Sequence, residues 1–303
     1  MWIHVTPHFR DFLQELELTP EERADADGKA ERIARCLWDR CYPGAEFNFN
    51  CFAKVGSYGK GTASRPPSDL DMLFVLPPYV YGRVEALAGN KQSKLLQAVK
   101  RALEGTFPRT DLRADGQVVF APFQSYNVEI IPAFLHTNGT YYTAHTADGG
   151  SWRLSNPHAE YWAIKYADSV SADKATHLLK MLKAWKRECS VDIRSISLEV
   201  LVCDFVRQWE YRLRSLFYYD WLIRDFFAFM LRYQNGSTIV PGTPETIQLG
   251  DAWVSKCRSA YDRALRACHY EVADADYSAA AEWQRIFGAQ FRAANRLAEA
   301  AFA

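Results

Sequence analysis

The 303-residue chain has no excess of either charge. Its 36 lysines and arginines meet 36 aspartates and glutamates, so the formal net charge at pH 7 is zero. A protein whose main partner is long nucleic acid normally carries a basic excess to meet the phosphate backbone, so that class is set aside. No apolar run reaches the ~18–20 residues of a membrane span. The greasiest stretch, 218–231, is broken by Asp220, Arg224 and Asp225. The seven cysteines are scattered, with no C-x-x-C pair and no Cys/His cluster of zinc spacing, which reads as reduced thiols in a cytoplasmic protein. The first residues lack a basic segment followed by an apolar one, so no secretory leader is expected. There is no solenoid-length repeat and no low-complexity tract. The seven histidines form no nucleophile or metal pattern and read as surface or capping residues.

What is present is ordinary globular composition, 49% hydrophobic and 24% charged, in a length of one large or two closely packed domains. Thr19-Pro20-Glu21-Glu22 is a helix start, and Ile33, Cys36, Leu37 and Cys41 continue it at helical spacing to Pro43-Gly44. This long helix is placed to pack across both halves of the chain. Residues 47–55 read as a strand, 69–76 as a strand buried on both faces, and 83–103 as a helix. Residues 116–123 and 126–132 pair as a hairpin, and Asn138-Gly139 marks a further turn before Thr140-Tyr141-Tyr142. From Pro157 onward the reading is almost wholly helical, near 157–170, 173–188, 196–233, 252–272 and 275–300. An N-terminal α/β half, 1–150, therefore precedes a helical half, 151–303.

The chemistry concentrates in the first half. Asp69 and Asp71 stand at the entrance of a buried strand, two residues apart and so on one face. Like charges this close repel, and burial makes the repulsion worse; a divalent cation relieves both costs. Magnesium takes few carboxylates and completes its shell with substrate phosphates, so this pair suits a nucleoside triphosphate. A lone D-x-D is more often a solvated strand end. Here, twelve residues upstream, Gly56-Ser57 leaves one strand and enters a short helix, where backbone amides and the Ser57 hydroxyl can meet phosphate oxygens. Glu129 lies among β-branched residues of a strand otherwise expected to be buried, where an unpaired charge is expensive. If that strand neighbours the aspartate strand, Glu129 becomes the third ligand of a two-metal site.

Taken together, Gly56-Ser57-Tyr58-Gly59-Lys60-Gly61-Thr62 and Ser68-Asp69-Leu70-Asp71 resemble the G-S…[ST]-D-x-D signature of polymerase β-like nucleotidyltransferases. Further segments narrow the resemblance to the cGAS/DncV-like nucleotidyltransferases. These are Val128-Glu129-Ile130-Ile131-Pro132, Trp152 with Ser155-Asn156-Pro157, and Leu179-Lys180-Met181-Leu182-Lys183-Ala184-Trp185. Ser195-Ile196-Ser197-Leu198-Glu199 and Trp283-Gln284-Arg285-Ile286-Phe287-Gly288 complete the set. The resemblance implies an α+β fold, with a mixed-sheet polymerase β-like core, a long N-terminal helix and an oligoadenylate synthase-like helical domain closing the active-site cleft. It implies an enzyme that joins NTPs, ATP or GTP foremost and pyrimidines in some members, into cyclic di- or trinucleotides for anti-phage (CBASS) signalling. Two magnesium ions, or manganese in their place, would be held by Asp69, Asp71 and Glu129, the catalytic carboxylates. Gly56 and Ser57 would bind the triphosphate, with Lys180 and Ser195 reaching the same phosphates from the helical half. Glu129 stands where relatives often have Asp.

The implied enzyme is a cytoplasmic monomer that needs neither long nucleic acid nor a membrane, and works beside CBASS accessory and effector proteins. The apolar arc of Leu178, Leu179, Met181, Leu182 and Trp185 borders Lys180 and directs it to a cleft more than to solvent; Lys183 is less well placed. The aromatics from Trp209 to Phe229 read as helix-packing residues. Two other readings stay open. One is a template-independent transferase making linear oligonucleotides or modifying RNA or protein, and the other is a catalytically silent nucleotide-binding sensor.

Overall fold

A computed structural model describes residues 4–292. The chain opens with α1 (Val5–Leu16) and α2 (Pro20–Cys41). Then come β1 (Phe52–Lys54), α3 (Gly56–Lys60), β2 (Leu70–Val75), α4 (Pro78–Glu85) and α5 (Lys91–Glu104). Five strands follow: β3 (Arg113–Asp115), β4 (Val118–Pro122), β5 (Asn127–Leu135), β6 (Tyr141–His145) and β7 (Ser151–Ser155). The rest comprises α6 (Pro157–Ser169), α7 (Lys174–Glu188), α8 (Ser195–Gln208), α9 (Tyr219–Leu231), β8 (Ser237–Ile239), β9 (Thr246–Gln248), α10 (Val254–Val272) and α11 (Asp276–Phe287). These form two compact units: Leu18–Tyr161, and the segment up to Glu17 with everything from Trp162 on.

The first unit is a mixed sheet in the order β1-β2-β5-β4-β3, extended by β6 on β5 and β7 on β6. Only β2 and β5 run parallel; every other pairing is antiparallel. Alternation along the two central strands sorts their side chains. Leu70, Met72, Phe74, Val128 and Ile130 point to one face and are fully buried there. They join Ala30, Ile33 and Leu37 of α2 and Leu95, Leu96 and Val99 of α5 in one core. Each such aliphatic burial contributes roughly 1.5–3 kcal/mol. The other face carries Asp71, Leu73 and Val75 beside Glu129, Ile131 and Ala133. The start of α2 is secured by a capping box, with Glu22 N donating to Thr19 Oγ1 at 3.2 Å and Thr19 N to Glu22 Oε2 at 2.8 Å.

The second unit is helical. Its core is aromatic, with Trp185, Phe226, Phe227, Trp283, Phe287 and Phe291 all buried. Phe9 of α1 enters it edge-on to Trp283, ring centroids 5.3 Å apart. Among the described residues, no helix is long and apolar enough to cross a membrane.

Most expected elements stand where the periodicity placed them, and the differences have physical causes. The strand expected over 47–55 is only β1, because Asn48 accepts a hydrogen bond from Asn50 N at 2.9 Å and coils the chain into a turn. The helix expected over 83–103 is two, α4 and α5. Gly89 at φ +70 ends the run, and Asn90 caps the new one by accepting from Ser93 N at 2.9 Å. The helix expected over 196–233 breaks after Gln208, where Trp209 is extended, and resumes at Tyr219. The expected helix 275–300 ends at Phe287, where Gly288 turns with φ +79 and 288–292 are not helical; 293–300 fall outside the described residues. The long helix α2 belongs to the first unit, and its buried residues lie in the sheet core. It is α1, unseen in the sequence, that packs in the helical unit, and the hairpin β8–β9 occupies the stretch left unassigned between the helices expected over 196–233 and 252–272. Nor are all the histidines at the surface: His4 and His8 are buried, with His8 Nε2 2.9 Å from Asp276.

Candidate active site

The site begins with a register. β2 and β5 pair in parallel so that Asp71 lies opposite Glu129 and Leu70 opposite Val128. Directly opposed residues share a face, so the two carboxylates project together from the sheet's second face. Asp69, just before β2, completes the group: Asn127 Nδ2 donates to its Oδ1 at 2.8 Å. The consequence is electrostatic. Burial pushes the Glu129 carboxyl up to about 7, and the charges of Asp71 and Asp69 add to the shift. A hydrogen bond between Glu129 and Asp71 favours the protonated form.

The loop above is fitted to the same aspartate. Val55 N donates to Asp71 O at 2.9 Å and ties the loop to β2. Gly56 then turns with φ +54, and a β-carbon there would overlap Asp71 Oδ2. Only glycine adopts this turn without strain and leaves that space free. Ser57 follows, its carbonyl accepting from Thr62 N at 2.9 Å and Ala63 N at 3.0 Å. With only five residues, α3 has little dipole, so any phosphate would be met by individual N–H groups and the Ser57 hydroxyl.

Asp69, Asp71, Glu129, Gly56 and Ser57 are thus brought together in one unit. Lys180 and Ser195 belong to the helical unit, each with partners of its own there. Lys180, on α7, is buried and ion-paired to Glu17, while Lys186 Nζ donates to Ser195 Oγ at 3.3 Å. Asn127 was not expected from the sequence. Its signal was its position, two residues before Glu129 and therefore on the same strand face.

The carboxylates suit a divalent cation, because three acids on one face, one of them forced towards neutrality, are relieved by positive charge. Among the described residues no three His, Cys, Asp or Glu side chains form a ready metal cage.

A mixed sheet with a Gly-Ser loop, one aspartate on a strand and another just before it, and an acid opposite on a parallel neighbour is the architecture of a polymerase β-like nucleotidyltransferase. Solved structures agree in fold. The Vibrio cholerae cyclic AMP-GMP synthase DncV, in complex with a linear intermediate, matches with a TM-score of 0.70 at 13% identity over 95% of this chain and 97% of that one. CdnC of E. coli, in complex with HORMA-deltaN, matches with a TM-score of 0.68 at 16% identity over 96% and 98%. The Bradyrhizobium diazoefficiens CD-NTase CdnG, in complex with GTP, gives 0.66 at 14% identity over 98% of each chain. No curated protein matches the sequence. The family model of the Second Messenger Oligonucleotide or Dinucleotide Synthetase domain matches residues 3–167, more than half of the chain, and the protein belongs to that family. It is a nucleotidyltransferase of the cGAS/DncV-like class.

Proposed function

We propose that this enzyme joins NTPs into a cyclic di- or trinucleotide and releases pyrophosphate. The observation that carries the reading is the register that sets Glu129 opposite Asp71, with Asp69 and the Gly56 loop beside them. Asp69, Asp71 and Glu129 would hold magnesium, or manganese in its place. Bound there, the ions would neutralise the triphosphate and lower the pKa of the attacking ribose hydroxyl. The chain's own residues do the rest. The amides around Gly56 and the Ser57 hydroxyl hold the triphosphate so that the α-phosphate faces the carboxylates. Glu129 or Asp71 takes the proton of the attacking hydroxyl. Asn127 keeps Asp69 in place by bonding one of its oxygens. The sequence resemblance supports Lys180 and Ser195 as further phosphate contacts.

ATP and GTP are the proposed substrates, supported by the solved relatives: one CdnC structure carries ATP, and CdnG is bound to GTP. The free thiols and the use of NTPs fit a cytoplasmic enzyme, and the resemblance supports a role in anti-phage signalling with accessory and effector proteins. The test needs no polymer. Purified protein, the four NTPs and magnesium should yield a phosphatase-resistant product of defined mass, and Asp71→Ala should abolish it. Labelling that appears only when RNA or protein is added would overturn the reading.

A further inference from the structure

The helix α3 carries Gly56 and Ser57, yet five residues make too few backbone bonds to hold a helix by themselves. Its position has to come from its surroundings. Towards β1, Gly59 lies so close that a β-carbon would overlap the carbonyl oxygen of Lys54. At its C-terminal end Lys60 is only 6% exposed, and its Nζ donates to Glu160 Oε2 at 2.8 Å. Glu160 sits in the first turn of α6. Around this ion pair lies a cavity of about 220 Å³, also lined by Val55, Leu73, Tyr141 and Pro157.

Such surroundings favour apolar packing, which would fill the space without stripping water from two charges. A buried ion pair is weak evidence for stability, and its best-attested use is to specify one geometry. With a cavity beside it, α3 has room to shift. The Lys60–Glu160 pair is a directional contact at its C-terminal end that opposes such a shift.

We propose that Lys60 and Glu160 are positioning residues for nucleotide binding. Their ion pair holds α3, and with it Gly56 and Ser57, at the spacing from Asp71 that a triphosphate requires. Neither acts on substrate directly, and the inference rests on the reading of this loop as the triphosphate site.

The experiment compares the full-length chain with Lys60→Arg, Lys60→Met and the apolar pair Lys60→Met/Glu160→Leu. Three quantities are read: Tm, KM and kcat for ATP and GTP, and amide hydrogen exchange at Gly59, Gly61, Thr62 and Ala63. In Lys60→Met, exchange at these amides should quicken about tenfold while β2 is unchanged. Its KM should rise about tenfold with kcat within about threefold of the parent. Lys60→Arg should keep parental values. The apolar pair should recover the parental Tm and still show loosened amides and raised KM. Recovery of all three together would make the pair merely structural and overturn the proposal, as would unchanged exchange in Lys60→Met. If the apolar pair does not fold, Glu160→Gln replaces it. That variant keeps an acceptor but no charge, so raised exchange and KM support the proposal and parental values sink it. A parent that makes no product while Lys60→Met still loosens α3 overturns the functional reading, not the positioning.

Discussion

Gly56 and Asp71 compete for one volume: a β-carbon at position 56 would overlap Asp71 Oδ2 and stand 2.7 Å from its Cγ. Gly56→Ala must therefore displace the carboxylate or the loop. Misplacement of about 1 Å at a reacting centre can cost about a hundredfold, so synthesis should fall at least that far. Gly28→Ala is the contrast. Gly28 lies within α2 with open space around it, and alanine there should raise stability by roughly 0.5–1 kcal/mol with activity unchanged. Product formation and urea unfolding of both variants check the pair.

Glu129 sets a pH dependence with a definite sign. Its carboxyl lies at about 7 in the fold against an ordinary 4.5. Between those values the folded chain binds more protons than the unfolded one, so stability falls as pH rises through the window. Asp220, buried and also held at about 7, contributes a slope of the same sign. The informative quantity is thus the difference between the parent and Glu129→Gln. Without divalent cation, the variant's Tm should fall less between roughly pH 5 and pH 8 and be higher at the upper end. Magnesium should then raise the parental Tm more than the variant's. Identical slopes would show that the fold does not raise the Glu129 carboxyl.

Asn127 reaches Asp69 with one hydrogen bond of 2.8 Å. Bonds to charged groups are worth about 1.5–3 kcal/mol, so Asn127→Ala should lower kcat/KM roughly tenfold or more. The fold should persist, because the side chain is only half-buried. Asn127→Asp keeps the shape and adds a fourth like charge that a divalent cation would relieve, so it should lower the magnesium concentration needed for half-maximal rate. Kinetics with varied magnesium read both effects.

Phe9 tests the docking of α1. It is fully buried, 5.3 Å from Trp283 and 5.4 Å from Phe291 between ring centroids. Phe9→Ala should cost about 3–5 kcal/mol, read as a lowered midpoint in urea. A loss under about 1 kcal/mol would mean that the site collapses around the gap or that α1 is dispensable.

Individual residues show how far the sequence was legible. Thr19-Pro20 with Glu22 announced the start of α2 because a capping box is a local device, complete within four residues. The split of 83–103 was missed because helical periodicity continues across Gly89-Asn90, and only the backbone turn there shows that the second stretch has its own cap. The helix α1 was missed although Val5, Phe9, Phe12 and Leu16 stand at helical spacing; what the sequence does not show is that α7, α9 and α11 receive this stripe. His8 was misread for a like reason: its neighbours Glu271 and Asp276 are more than 260 residues away in sequence, although within 4 Å in space.

By itself the sequence determined which side chains could do chemistry here. Asp69 and Asp71 share a strand face by the two-residue period, and Gly56 is the residue type that a positive φ demands. Those are properties of neighbours along the chain. Whether Glu129 joins them was beyond local information, since β5 could have paired at another register and turned its acid into the apolar core. A one-residue slip reverses every side chain of a strand. The parallel pairing of β2 with β5, selected by burying Leu70, Met72, Phe74, Val128 and Ile130 on the opposite face, is what made three separate acids one site.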